Sequence, residues 1–161
     1  MTSKKLITTG ALVSAGVAAA VIAVGTASSA SAAVPNSGTF TLRAHHGTDT
    51  NVDLGKSGFS AGDEDLFTGP LTYHGDRVGR LVGECTMVRV GATVDQLCEF
   101  VLRIGSAQLT ADGAVHAGAK GPGTFTLPIV GGTGRYRAAS GVITVSATDG
   151  GAVPITVSLG G

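Results

Sequence analysis

Eight stretches of this chain alternate apolar and polar residues with a period of two, the spacing at which successive side chains fall on opposite faces of a β-strand. In TFTLRAHH (39–46), Phe40, Leu42 and Ala44 share one face. In LCEFVLRI (97–104), Cys98, Phe100, Leu102 and Ile104 oppose Glu99 and Arg103. The same pattern runs through DLFTGPLTYHG (65–75), RLVGECTMVRV (80–90), AQLTADGAVHA (107–117), TFTLPIV (124–130), GVITVSAT (141–148) and VPITVSLG (153–160). No stretch of the remainder carries a convincing helical period. Each strand has one apolar and one polar face, as in an antiparallel sheet that is wet on one side. Eight such strands suffice to close a barrel whose interior is filled by side chains or holds one small ligand. The expected fold is therefore all-β, an eight-stranded antiparallel β-barrel, with a β-sandwich as the alternative. Within it Phe40, Phe67, Tyr73, Met87 and Phe100 fall on the inward faces and are the candidate ligand-lining residues.

The N-terminus reads as a separate element. Lys4 and Lys5 precede an uncharged run from Leu6 to Ala27, followed by the small-residue stretch ASSASAAVP. A positive n-region, an apolar h-region and an A-x-A-like site describe a secretory signal peptide, expected over 1–33, with one barrel domain over 34–161. The alternative of a membrane anchor is disfavoured by the many Ala, Gly, Ser and Thr residues and by the cleavage site. Cleavage before Ala33 or Val34 would leave a secreted, extracellular protein with no membrane association. Nine basic residues would then face 11 acidic ones. That balance gives no footprint for nucleic acid. Of the 26 glycines, 23 lie beyond residue 33. They have no collagen-like period and sit among apolar runs, as turns and bulges of a β protein do.

The richest glycine cluster is GGTGRYRAASGVITV (131–145). A P-loop needs Gly-Lys-Ser/Thr entering a helix, and a dinucleotide loop needs G-x-G-x-x-G in the same setting. Here Arg135, Tyr136 and Arg137 follow Gly134, and the next run alternates like a strand. The stretch is read as a turn. Gly131, Gly132 and Gly134 are expected there for backbone shape, and Gly141 for close approach at the start of the next strand. Tyr136 is expected to cover one end of the barrel, with Arg135 and Arg137 at its wet rim.

The segment TLPIVGGTGRYRAASGVITV resembles the GGTG, basic, aromatic, Ala/Gly signature of the allene oxide cyclase and dirigent barrel superfamily. The upstream segments DLGKSGFSAGDEDLFTGPLTYHGDRVGRLVGECTMV and AQLTADGAV are similar to further segments of that superfamily, so the resemblance spans about residues 38–160. It implies a secreted bacterial member with an eight-stranded barrel, often trimeric, that takes a small hydrophobic molecule. Allene oxide cyclases convert an unstable epoxide to a cyclopentenone with a first-strand Glu and an ordered water, and dirigent proteins steer phenoxy-radical coupling. Cys85 matches a cysteine of the cyclase cavity. The first strand, Thr39 to His46, contains no carboxylate, and the dirigent residues have no one-to-one counterparts. Binding of a small apolar ligand is thus the leading expectation. The alternatives are cyclase or isomerase chemistry on a hydrophobic molecule, and a non-catalytic extracellular structural or interaction protein.

The two cysteines, in an exported chain, are expected to form a disulfide. Pairing Cys85 with Cys98 on consecutive strands also sets Glu84 opposite Glu99 and Arg80 opposite Arg103, at roughly 0.2–1 kcal/mol per like-charged pair. Closing the loop contributes on the order of 3 kcal/mol, so the bridge prevails. The remaining polar clusters are read as surface. DTNVDLG (49–55) lacks the glycine position and the final Glu of a calcium loop, and Asp63–Glu64–Asp65 is read as a solvated turn. His45 and His46 point to opposite faces of a strand, and His74 and His116 have no partner at ligand spacing. Arg89 is placed on the inward face near a strand end, with its side chain snorkelling to the rim. No metal or cofactor is expected.

Overall fold

The computed structural model describes residues 33–147 and 151–160; the expected signal segment, up to residue 32, lies outside them. The strands are β1 (Gly38–Ala44), β2 (Thr48–Val52), β3 (Glu64–Tyr73), β4 (Asp76–Val90), β5 (Val94–Ile104), β6 (Ala107–Ala117), β7 (Thr124–Thr133), β8 (Gly141–Ser146) and β9 (Val153–Leu159), with a 3-10 turn at Gly134–Tyr136. All pairings are antiparallel. From β3 to β9 the strands pair in chain order, and β1 joins the two ends by pairing with both β9 and β3. Eight strands, β1 and β3 to β9, therefore close a barrel, so that each of them pairs with a neighbour on both sides for at least part of its length.

Strand β2 is the element that the alternation did not announce. Its sequence, TDTNV, is polar throughout, and the segment was expected as a surface loop. It continues the line of β1 along β3: Ala44 faces Leu71 and, beyond a one-residue irregularity, Thr48 faces Thr68. At the irregularity His45 donates its backbone N–H to the Pro70 carbonyl at 2.9 Å. The two backbones cross so closely that a Cβ on Gly69 would lie 2.0 Å from the His45 oxygen.

The register of β4 and β5 is fixed by the Cys85–Cys98 disulfide, which joins directly opposed residues. Glu84 faces Glu99 and Arg80 faces Arg103, with no bulge to separate either pair. A register shift does occur nearer the strand end, between Met87 and Arg89. It turns Arg89 outward, contrary to the simple alternation, so that its Nε pairs with Asp95 at 2.7 Å.

Inward-facing side chains form one core that includes Leu42, Leu71, Leu102, Leu109, Leu127, Ile143, Ile155 and Val157, all at 0 % exposure. Val34, ahead of β1, is buried with them. The segment expected as a solvated turn is ordered by Asp63, which is buried and accepts hydrogen bonds from the Leu54 and Ser60 backbone N–H groups at 2.9 and 2.7 Å. These bonds hold its carboxyl below the usual carboxylate range. Among the described residues no helix is long and apolar enough to cross a membrane.

Candidate functional site

The two ends of the barrel differ. At the end where β1 begins, the 3-10 turn carries Tyr136 into the interior at 1 % exposure. Its hydroxyl donates to the Pro35 carbonyl at 2.9 Å, and the Arg135 guanidinium lies 5.0 Å from the ring centre. Burial pushes the phenol up, with the Arg135 charge opposing. Gly134 takes φ +58° against Ala107, and Gly141 takes φ +131° where a Cβ would lie 2.0 Å from the Ser158 oxygen. Gly132 packs against the Tyr136 backbone. Gly131, by contrast, has an ordinary φ and open space around it, so backbone shape does not call for glycine there. The loop is a plug, and Arg135 and Arg137 are exposed beside it.

The opposite end holds a cavity of about 390 Å³. Its floor and walls are Leu81, Phe67, Phe100, Phe125, Val115 and the Cys85–Cys98 bridge, with Val145, Val153 and Ile155 across from them. His45, His46, Thr48, Asp49 and Gln96 supply its polar rim. Phe67 and Phe100 meet at 5.2 Å between ring centres, and Phe100 and Phe125 at 6.0 Å. Gly83 lies between Phe67 and Phe100 in the cross-strand row, and its missing side chain leaves room for the rings. A Cβ there would stand 2.4 Å from Phe67.

Of the five candidates read from the sequence, Phe67 and Phe100 line this cavity. Phe40 lies outside it, buried edge-on against Tyr73 at 6.4 Å, and Tyr73 in turn contacts His74 at 4.1 Å. Met87 is fully buried outside the cavity, its sulfur receiving the Gln96 amide at 3.0 Å. Phe125 joins the cavity although it was not singled out, despite sharing its inward face with Leu127 and Ile129. A carboxylate was also missed. The line of the first strand runs on into β2, where Asp49 is the one acid among the cavity-lining residues. On the same face of β2 and β3, Asn51 hydrogen-bonds Asp65, whose carboxyl is raised by burial and by the charges of Asp49 and Asp63.

The bridged Cys85 is unavailable as a thiol nucleophile. Among the described residues no group of three His, Cys, Asp or Glu side chains is arranged to hold a metal ion. His116 and Arg89 both bind Asp95, each at 2.7 Å, and hold its carboxyl low at the exposed surface of β4, β5 and β6.

No family model matches the chain, and no curated protein matches it. Solved structures do. A protein described as pyocyanin demethylase is 28% identical, with a TM-score of 0.66 over 76% of this chain and 99% of that one. The Diels-Alderase AbmU from Streptomyces koyangensis is 17% identical, with a TM-score of 0.61 over 76% of this chain and 62% of that one. The pterocarpan synthase dirigent protein PsPTS1 is 15% identical, with a TM-score of 0.54 over 75% of this chain and 90% of that one. The chain thus shares its barrel fold with these proteins, a dirigent protein among them.

Proposed function

We propose that this chain is an exported barrel protein that binds one small, flat, apolar molecule in the cavity at its open end. The cavity itself carries the reading. Three phenyl rings and aliphatic walls enclose about 390 Å³, within the range of small-molecule sites, and polar groups stand only at the rim to orient a ligand. Aromatic walls favour a planar conjugated ligand, which stacks or meets ring edges at 4.5–7 Å. The likeness to a protein named for acting on pyocyanin, a planar tricyclic phenazine, supports the same ligand class. The signal-like N-terminus and the disulfide are consistent with export.

Pyocyanin itself is a usable probe, because its absorbance reports transfer from water to an apolar site. Titration of the purified chain beginning at Ala33 should show saturable one-to-one binding. Val115→Phe, which fills the cavity, should abolish the signal while leaving the circular dichroism spectrum intact. Native mass spectrometry of protein from its own culture medium should show a bound small molecule of this class. Absence of any bound molecule, together with pyocyanin binding unaffected by Val115→Phe, would leave the packed, non-binding interaction protein as the better reading. A cyclase or isomerase role is favoured over binding alone by one feature, the Asp49 carboxylate at the cavity rim. Asp49→Asn would then abolish turnover without abolishing binding.

A further inference from the structure

The outer face of β3, β4, β5 and β6 is ordered in three cross-strand rows. One row reads Leu66, Glu84, Glu99, Asp112; the next Thr68, Val82, Val101, Thr110; the third Pro70, Arg80, Arg103, Gln108. Successive rows are two residues apart, about 7 Å along the strands. Acidic, apolar and basic bands thus lie side by side on one face. The acidic and basic bands each set like charges directly opposite one another, an arrangement unfavourable in the isolated chain. Glu84, Glu99, Arg80 and Arg103 are exposed, and none of the four enters an ion pair among the described residues. Val82 is 42% and Leu66 36% exposed, and a shallow depression of about 380 Å³ lies over the acidic and apolar rows and the adjoining β2, lined by Thr50, Leu66, Val82, Val101, Glu84 and Glu99 among others.

We infer that this face docks a second copy of the same chain, related by a two-fold axis that lies in the interface along the Val82–Val101 row. Rotation about that axis reverses the strand direction and keeps each strand over its own counterpart. Val82 and Val101 then meet Val82 and Val101 of the other copy. Glu84 meets Arg80, Glu99 meets Arg103, Asp112 meets Gln108 and Leu66 meets Pro70, each contact occurring twice, as an isologous interface requires. A two-fold axis along the strands would instead set acid on acid and base on base. The like-charged pairs that strain the monomer become paired charges in the dimer, so charge complementarity selects both the partner and the orientation. The three rows offer 12 residues a side. Standard interfaces use roughly 20–30, so the dimer is weak and salt-sensitive.

Sedimentation velocity on the chain beginning at Ala33 tests this over a concentration series. The expected result is a monomer–dimer equilibrium that shifts toward monomer between about 0.1 M and about 1 M salt, as the screening length falls from ~10 to ~3 Å. Arg80→Glu with Arg103→Glu in one variant, and Glu84→Arg with Glu99→Arg in a second, should each lose at least about a hundredfold in self-association. Mixed together, the two variants should form a one-to-one heterodimer tighter than either homodimer, with melting curves showing both to be folded. A wild-type trimer, a monomer up to millimolar concentration, or variants that fail to pair when mixed while remaining folded would each overturn the proposal.

Discussion

At Gly83 the absence of a side chain is itself structural, because the Phe67 ring occupies the place where a Cβ would stand. Gly83→Val would drive that ring out of the wall against Phe100, an overpacking that costs about 1–3 kcal/mol. The variant should melt lower and lose affinity for pyocyanin, as read by thermal denaturation and by the absorbance titration. Tyr136 makes the complementary case at the closed end. Tyr136→Phe keeps the ring and deletes only the hydrogen bond to the Pro35 carbonyl, which is worth about 0.5–1.5 kcal/mol. A loss of that size in urea denaturation is expected, with ligand affinity unchanged. The alternation of residues placed Phe40, Phe67, Met87 and Phe100 on inward faces, but it carries no information about depth along the barrel. Depth decides which of them faces space. Phe40 packs against Tyr73, whereas Phe67 and Phe100 stand at the open end.

Between strands, the Cys85–Cys98 bridge closes a loop of 13 residues' separation around the β4–β5 hairpin. Replacing both cysteines by serine should lower stability by about 2–4 kcal/mol in denaturant unfolding, with the wild type shifted equally by reductant. The segment ahead of β3 depends instead on one carboxylate. Asp63 holds the Leu54 and Ser60 amides, and its folded-state pKa lies below the unfolded value. The stabilisation from this group is present above the ordinary carboxylate range and is lost as pH falls through the folded-state pKa. Hydrogen exchange should find the Leu54 and Ser60 amides protected at neutral pH and exposed in Asp63→Ala. Eight barrel strands were legible because each alternates. Strand β2 was not, since TDTNV has no apolar face and owes its conformation to the β3 backbone beside it. Arg89 was misplaced for a different reason: one extra residue in β4 reverses the facing of those that follow, and a bulge leaves no mark on composition.

For the molecule as a whole, the N-terminal end of the described chain is part of the fold. Val34 is 5% exposed within the core, and Pro35 supplies the acceptor for Tyr136. A chain beginning at Gly38 should therefore melt lower than one beginning at Ala33, by an amount that calorimetry resolves easily. Burying one Val-sized side chain alone is worth about 1.5–3 kcal/mol. The plugged end has a kinetic corollary. Among the described residues the plugged base offers no exit, so an occupant leaves on the side of the open end, and no newcomer can push it through from behind. Exchange between two ligands then proceeds strictly by vacancy. In a stopped-flow chase, the departure rate of bound pyocyanin should stay constant however much competitor waits outside.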